Sequence, residues 1–249
     1  SKCFDHMAEK LDDKKYCGKI SADYLIAKCY TRVALAEGDV EICESIENSY
    51  QKDQCKNRVA EETGDFFICK EIDNEREKGK CYADQATKFN NSDGCEKIKV
   101  DDIRDKCYSD IAIEIGDPAL CNEINGKSQI ENCFIGLARK TKDVKYCFDI
   151  DEDDDNFKVC VAMTAKESGN SEICMELESE SSLYYCVYET ALQNNDASHC
   201  QWIESNGTRD KCYHNVAVTK KDVAVCANIQ DEHEKNNCEN YTELNKLQL

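Results

Sequence analysis

Lys99 to Ile124, KVDDIRDKCYSDIAIEIGDPALCNEI, is one copy of a 26-residue unit that recurs along a 249-residue chain. Its two cysteines, Cys107 and Cys121, lie 14 residues apart, and the next, Cys133, follows after 12. All 19 cysteines keep this alternation from Cys3 to Cys238, with one 13-residue step between Cys147 and Cys160. Apolar residues keep the same beat. Three positions after the second cysteine of each unit stand Ile20, Ile46, Ile72, Ile98, Ile124, Ile150, Leu177, Ile203 and Ile229. Five positions after the first stands alanine, from Ala8 and Ala34 to Ala191 and Ala217. One position after it is often aromatic, as at Tyr82, Tyr108, Phe134 and Tyr213.

Offsets of one, four and five from the first cysteine define one face of a helix rather than the alternation of a strand. The small alanine admits a closely packed neighbour. This helix then meets Gly38, Gly64, Gly116 or Gly169, which suits a left-handed C-terminal position. Asp39, Asp65, Asp117 or Asn170 follows as the N-cap of a second, short helix. Pro118, the only proline, sits at its first helical position, where a missing N–H costs nothing. Each unit therefore reads as helix, tight turn, short helix, polar loop. Stacked hairpins of this kind form a solenoid. The expected fold is all-α: a right-handed α-solenoid of about nine hairpins plus a terminal helix. One repeat-array domain spans 1–249, with units at 1–20, 21–46, 47–72, 73–98, 99–124, 125–150, 151–177, 178–203, 204–229 and 230–249.

Composition alone points elsewhere. Net charge is −19, and Leu, Ile, Val and Phe make up just under a fifth of the chain, a balance typical of disorder. The periodicity argues against that, and a cysteine framework supplies the missing stabilisation. Such a framework belongs to an oxidising compartment, so the expected location is extracellular or the cell surface, with Ser1 the start of a processed chain. No apolar run approaches the length of a membrane span, so no membrane insertion is expected. The acidic balance makes nucleic acid an unsuitable partner.

Two disulfide ladders fit the spacing. One crosses the Gly-Asp turn, as Cys107 with Cys121; the other crosses the polar loop, as Cys121 with Cys133. In the first, Cys107 lies nine residues before Gly116 and Cys121 five after it, an offset of roughly 6 Å along the helices. The second is closer to level and is favoured. It pairs Cys17 with Cys29, Cys43 with Cys55, Cys69 with Cys81, Cys95 with Cys107, Cys121 with Cys133, Cys147 with Cys160, Cys174 with Cys186, Cys200 with Cys212, and Cys226 with Cys238. Cys3 is left unpaired.

Little in the chain resembles catalytic machinery. The closest cysteines are 12 residues apart, so there is no redox CxxC and no zinc-finger spacing. The four histidines are scattered. We expect no enzyme activity, metal or cofactor. Asp149, Asp151, Asp153 and Asp155 alternate in the manner of a Ca²⁺ loop, but an EF-hand's glycine and closing glutamate are missing. Asn90, Asn206 and Asn240 open glycosylation sequons.

The hairpin array resembles the tetratricopeptide/Sel1-like solenoids, although its unit is shorter and their Trp-Gly-Tyr-Pro signature is absent. It is also similar to cysteine-laddered solenoids that polymerise into prokaryotic surface filaments. That second resemblance implies a structural protein stacking head to tail on copies of itself. The contact would join Tyr241, Leu244, Leu247 and Leu249 to Phe4, Met7 and Leu11. The alternative is a monomer that binds a protein or peptide partner. Its contact residues would be Tyr185, Tyr188 and Trp202, which stand where sibling units mostly carry polar side chains.

Overall fold

The computed structural model describes residues 14–246. Cys3, Phe4, Met7, Leu11, Leu247 and Leu249 lie outside the described residues. Nine α-helices are present among the latter: α1 (Asp23–Glu37), α2 (Ser49–Thr63), α3 (Glu75–Phe89), α4 (Asp101–Ile115), α5 (Lys127–Thr141), α6 (Asp155–Ser168), α7 (Glu180–Asn194), α8 (Asn206–Lys220) and α9 (Glu232–Lys246). No β-strand occurs among the described residues. The chain divides into two compact units, Ser1–Ile130 and Glu131–Leu249. Helices α1 to α4 belong to the first and α6 to α9 to the second.

The short second helix of each hairpin is a 3₁₀ segment, such as Val40–Ser45, Pro118–Glu123 or Ala197–Trp202. Its start is set by an Asx side chain. The Asp39, Asp117, Asp143, Asp196 and Asp222 carboxylates each accept the N–H two residues on, at 2.9–3.1 Å. Its end is set by the recurrent apolar residue, whose N–H bonds the cysteine carbonyl three residues back, as Ile46 to Cys43 at 3.0 Å. Four to six residues between fixed ends suit the tight i→i+3 pattern, which is used in short pieces.

The turn before each segment demands a left-handed residue. Gly38, Gly64, Gly116 and Gly169 supply it at φ of 66–77°. Asn90, Lys142, Asn195 and Lys221 adopt the same conformation at φ of 50–60°, which costs a side-chain-bearing residue more than glycine.

The disulfides follow the loop-crossing ladder. Cys17–Cys29, Cys43–Cys55, Cys69–Cys81, Cys95–Cys107, Cys147–Cys160, Cys174–Cys186, Cys200–Cys212 and Cys226–Cys238 are all formed. In these bridges the paired Cα atoms stand 5.5–5.8 Å apart, a comfortable span for the bond. Cys121 and Cys133 are disulfide-bonded as well. The extra residue before Cys160 is absorbed in the loop at Asp151–Asp154 without changing that span.

Each core is built from the periodic positions. In the first unit Val33, Val59, Ile111 and the alanines 34, 60, 86 and 112 are buried; in the second, Leu137, Val161, Val187, Val216 and the alanines 138, 165, 191 and 217. A second device joins successive hairpins. Asp53, 2% exposed, lies two residues before Cys55. Its carboxylate accepts the N–H of Asp73 at 3.1 Å and of Asn74 at 2.9 Å, where the next helix begins. Asp210, two before Cys212, does the same for Gln230 at 3.1 Å and Asp231 at 3.0 Å. A carboxylate with both oxygens engaged by backbone donors makes strong, directional bonds.

Candidate functional site

The register of Asp53 and Asp210 varies along the chain, with Ala27, Gly79, Lys158 and Asn236 in other units, and one unit places an aromatic residue there. In α7 the position two before Cys186 is Tyr184. A phenol cannot take two backbone donors on separate oxygens. Tyr184 instead turns to its neighbours. Its ring stacks on Tyr188, one turn further along α7, with centroids 5.8 Å apart and planes at 4°. It meets Tyr185 edge-on at 5.5 Å. The Asn215 amide donates to its hydroxyl at 2.6 Å, and the Tyr188 hydroxyl pairs with Thr219 Oγ at 3.1 Å. Both partners lie on α8. Burial pushes the Tyr184 hydroxyl above its ordinary pKa, with the Asn215 bond opposing.

The result is an aromatic face held by hydrogen bonds from the adjacent helix. Tyr185 stands on its crest, 65% exposed. Tyr184 and Tyr188 are half-buried beside it. Of the three aromatic residues that stand out in this unit, Tyr185 and Tyr188 come together. Trp202 lies apart at the end of the 3₁₀ segment Ala197–Trp202, half-buried. Tyr184, Asn215 and Thr219 were not anticipated. The spacing of Tyr184 and Tyr188 by four residues was the available signal, since such pairs are neighbours on a helix.

On the other flank of α7 runs an open groove of about 690 Å³, bounded by the loop before α6, the segment before α7 and the first turn of α7. Carboxylates of Asp151, Glu152, Asp153, Glu176 and Glu178 line it. Buried Phe157 and Leu177 form its apolar floor. Lys158, also on its wall, is paired to Asp155 at 2.9 Å. Ser179, just before α7, and Ser182 within it also line the groove, and Tyr185 follows Ser182 by three residues. Among the described residues, no group of three or more His, Cys, Asp or Glu side chains is arranged to hold a metal ion. Of the alternating aspartates, Asp151 and Asp153 line the groove wall.

The remaining candidates are dispersed. Tyr241 and Leu244 of α9 are 58% and 57% exposed. Tyr241 lies 6.0 Å from the His214 ring of α8. Around them α9 departs from the repeat. Glu239 and Glu243 occupy the positions held by buried Tyr213 and Ala217 in α8. Asn90 sits on an exposed turn, and Asn206 opens α8. Asn240 is within α9, and the third residue of its sequon, Thr242, is fully buried.

Among the described residues no helix is long and apolar enough to cross a membrane. Compared with known proteins, the chain matches no family model, no curated protein and no solved structure. Its class therefore rests on its own architecture, which is that of a cysteine-stapled helical-repeat protein. The many disulfides among the described residues fit an oxidising, extracellular-type environment.

Proposed function

We propose that the protein is a non-enzymatic extracellular or cell-surface repeat protein that binds a protein or peptide partner through the aromatic face of α7. The observation that carries this reading is the Tyr184–Tyr185–Tyr188 cluster. It puts a tyrosine where α2 and α8 carry a joint-forming carboxylate; Asn215 and Thr219 hold the half-buried Tyr184 and Tyr188, and the exposed Tyr185 packs edge-on against Tyr184. Rigid, exposed tyrosines give large contact area at low entropic cost and dominate binding hot spots. Random dodecamer peptides displayed on phage and panned on the non-reduced protein provide the test. Binders are expected that are lost on a Tyr185→Ala, Tyr188→Ala variant of unchanged circular dichroism. If no enriched peptide depends on these tyrosines, the reading is wrong.

A second reading, head-to-tail assembly of copies into a filament, is favoured by the exposed Tyr241 and Leu244. Heterologous contacts of that kind need not close and grow into fibres. It ranks second because a hairpin stacking on α9 in the repeat's own manner would meet Glu239 and Glu243. Light scattering and negative-stain microscopy of the non-reduced protein decide it. Fibres lost on Leu244→Asp, Leu247→Asp would establish it, and a stable monomer at high concentration would remove it.

A further inference from the structure

The groove and the tyrosines meet on α7: Ser182 lines the groove, and Tyr185, three residues on, is its neighbour on the helix surface, so an acidic groove adjoins an aromatic face. The wall offers five carboxylates around an apolar floor of Phe157 and Leu177. Tyr185, three residues beyond Ser182 in the helix, is exposed, and beside it lies the Tyr184–Tyr188 stack. The wall's basic side chain, Lys158, is already engaged by Asp155. An occupant must therefore bring positive charge to the wall and a flat or cationic group to the tyrosines. A guanidinium does both: its planar fork pairs with carboxylates and stacks on aromatic faces. A volume near 690 Å³ accommodates several side chains rather than one ion.

We propose that this surface binds an arginine-bearing extended segment of a partner protein, with one guanidinium over Tyr185 and further basic side chains along the Asp151–Glu178 wall. The inference rests on the binding reading above and adds the chemistry of the partner. Charge complementarity selects this occupant over an apolar helix, which would bury the wall's carboxylates without a cation to pair them.

The same panning experiment separates the two claims. The inference expects Tyr185-dependent peptides enriched in Arg. A synthetic peptide of that sequence, titrated by fluorescence anisotropy, should lose about tenfold in affinity on Tyr185→Ala. A comparable loss is expected on Asp153→Asn, Glu176→Gln, Glu178→Gln, but not on Glu61→Gln, Glu62→Gln in the first unit. Binding should weaken as salt is raised. Replacing each Arg of the peptide by Lys should weaken it through loss of stacking. Tyr185-dependent peptides without basic residues would overturn the inference and leave the binding reading standing. Basic peptides weakened equally by the first-unit and groove variants, and indifferent to Tyr185, would report only attraction to a −19 surface and overturn both.

Discussion

Helices α2 and α7 occupy equivalent places in the repeat and differ at one telling position. Two residues before the first cysteine, α2 buries Asp53, which ties down the start of α3 through two backbone N–H groups. At the same register α7 carries Tyr184, which stacks on Tyr188 and receives a bond from Asn215 of α8. The α2–α3 joint is thus held by the Cys69–Cys81 bridge and a carboxylate clamp. The α7–α8 joint is held by Cys200–Cys212 and a tyrosine network that also faces solvent. One position serves cohesion in the first case and supports a surface in the second. A repeat array can specialise one hairpin in this way because each hairpin packs mainly on its neighbours.

The most severe test of the comparison removes the bridges. Replacing Cys69 and Cys81 by Ala, or Cys200 and Cys212 by Ala, is expected to cost about 2–4 kcal/mol each in urea denaturation. The consequences should differ locally. In the first pair Asp53 still holds the N–H groups of residues 73 and 74. In the second no carboxylate clamp from the Tyr184 position remains at Glu204 and Ser205. Amide exchange near residues 204–205 should therefore accelerate more than exchange at 73–74. Equal protection in the two variants would show that the tyrosine network holds its joint as firmly as the clamp.

Next in size is the clamp itself. Asp53→Ala and Asp210→Ala each leave two backbone donors without their partner, with an expected loss of about 1–3 kcal/mol. Tyr184→Phe keeps the ring stack and gives up only the Asn215 bond, so about 1 kcal/mol or less is expected. A loss on Tyr184→Phe as large as on Asp53→Ala would mean that Tyr184 is a structural replacement for the carboxylate, and the contrast would collapse.

This contrast also marks where the sequence stops being legible. Helix positions, turns and the loop-crossing ladder could be read from it because each depends on local spacing. A glycine followed by an Asx cap is a local signal, and a cysteine's distance from its loop fixes which partner it can reach. The clamp depends on Asp53 meeting N–H groups 20 and 21 residues away, and residue type alone does not separate Asp53 from the many solvated carboxylates of an acidic chain. The aromatic site was legible in part. Tyr185 and Tyr188 stood out against their sibling units. Tyr184 acquires meaning only when Asn215 and Thr219, each 31 residues from the tyrosine it bonds, are seen to hold the cluster. The 3₁₀ character of the second helix was likewise hidden, since it follows from fixed ends rather than from propensity.

Acid should act near α2 and α7 through a carboxylate ion pair and a cap rather than through the tyrosines. Asp196, at the turn after α7, is held below the usual carboxylate range first by the backbone N–H of Ser198. Glu44, beside α2, is lowered first by its bond to Lys56 and then by Lys52. Both pKa values are depressed in the folded state, so the stability they contribute is present above the unfolded value near 4. It is lost as pH falls through the lower folded value. Thermal unfolding midpoints should therefore hold steady from neutral pH to about 5 and decline below about 4. Asp196→Asn, which keeps an oxygen acceptor but cannot titrate, should flatten part of that decline. An unchanged acid profile in this variant would remove Asp196 from the account.

The smallest expected effect lies at the turns, which differ in the same manner as the joints. The turns after α1, α2, α4 and α6 use glycine at positive φ, while those after α5 and α8 use Lys142 and Lys221 at φ of 60° and 56°. A side chain at that conformation pays a steric cost that glycine avoids, offset in part by the greater freedom of glycine in the unfolded chain. Lys142→Gly and Lys221→Gly should therefore stabilise by up to about 1 kcal/mol, and Gly38→Ala should destabilise by about the same or more. Neither lysine lines the groove or bonds the α7 rings, so peptide binding should stay unchanged while the melting midpoint rises. If Lys221→Gly instead weakens binding at α7, the second unit transmits strain from the turn after α8 to the tyrosines that α8 holds through Asn215 and Thr219. The aromatic face would then be tuned by the repeat as a whole, and its rigidity could no longer be assigned to those two hydrogen bonds.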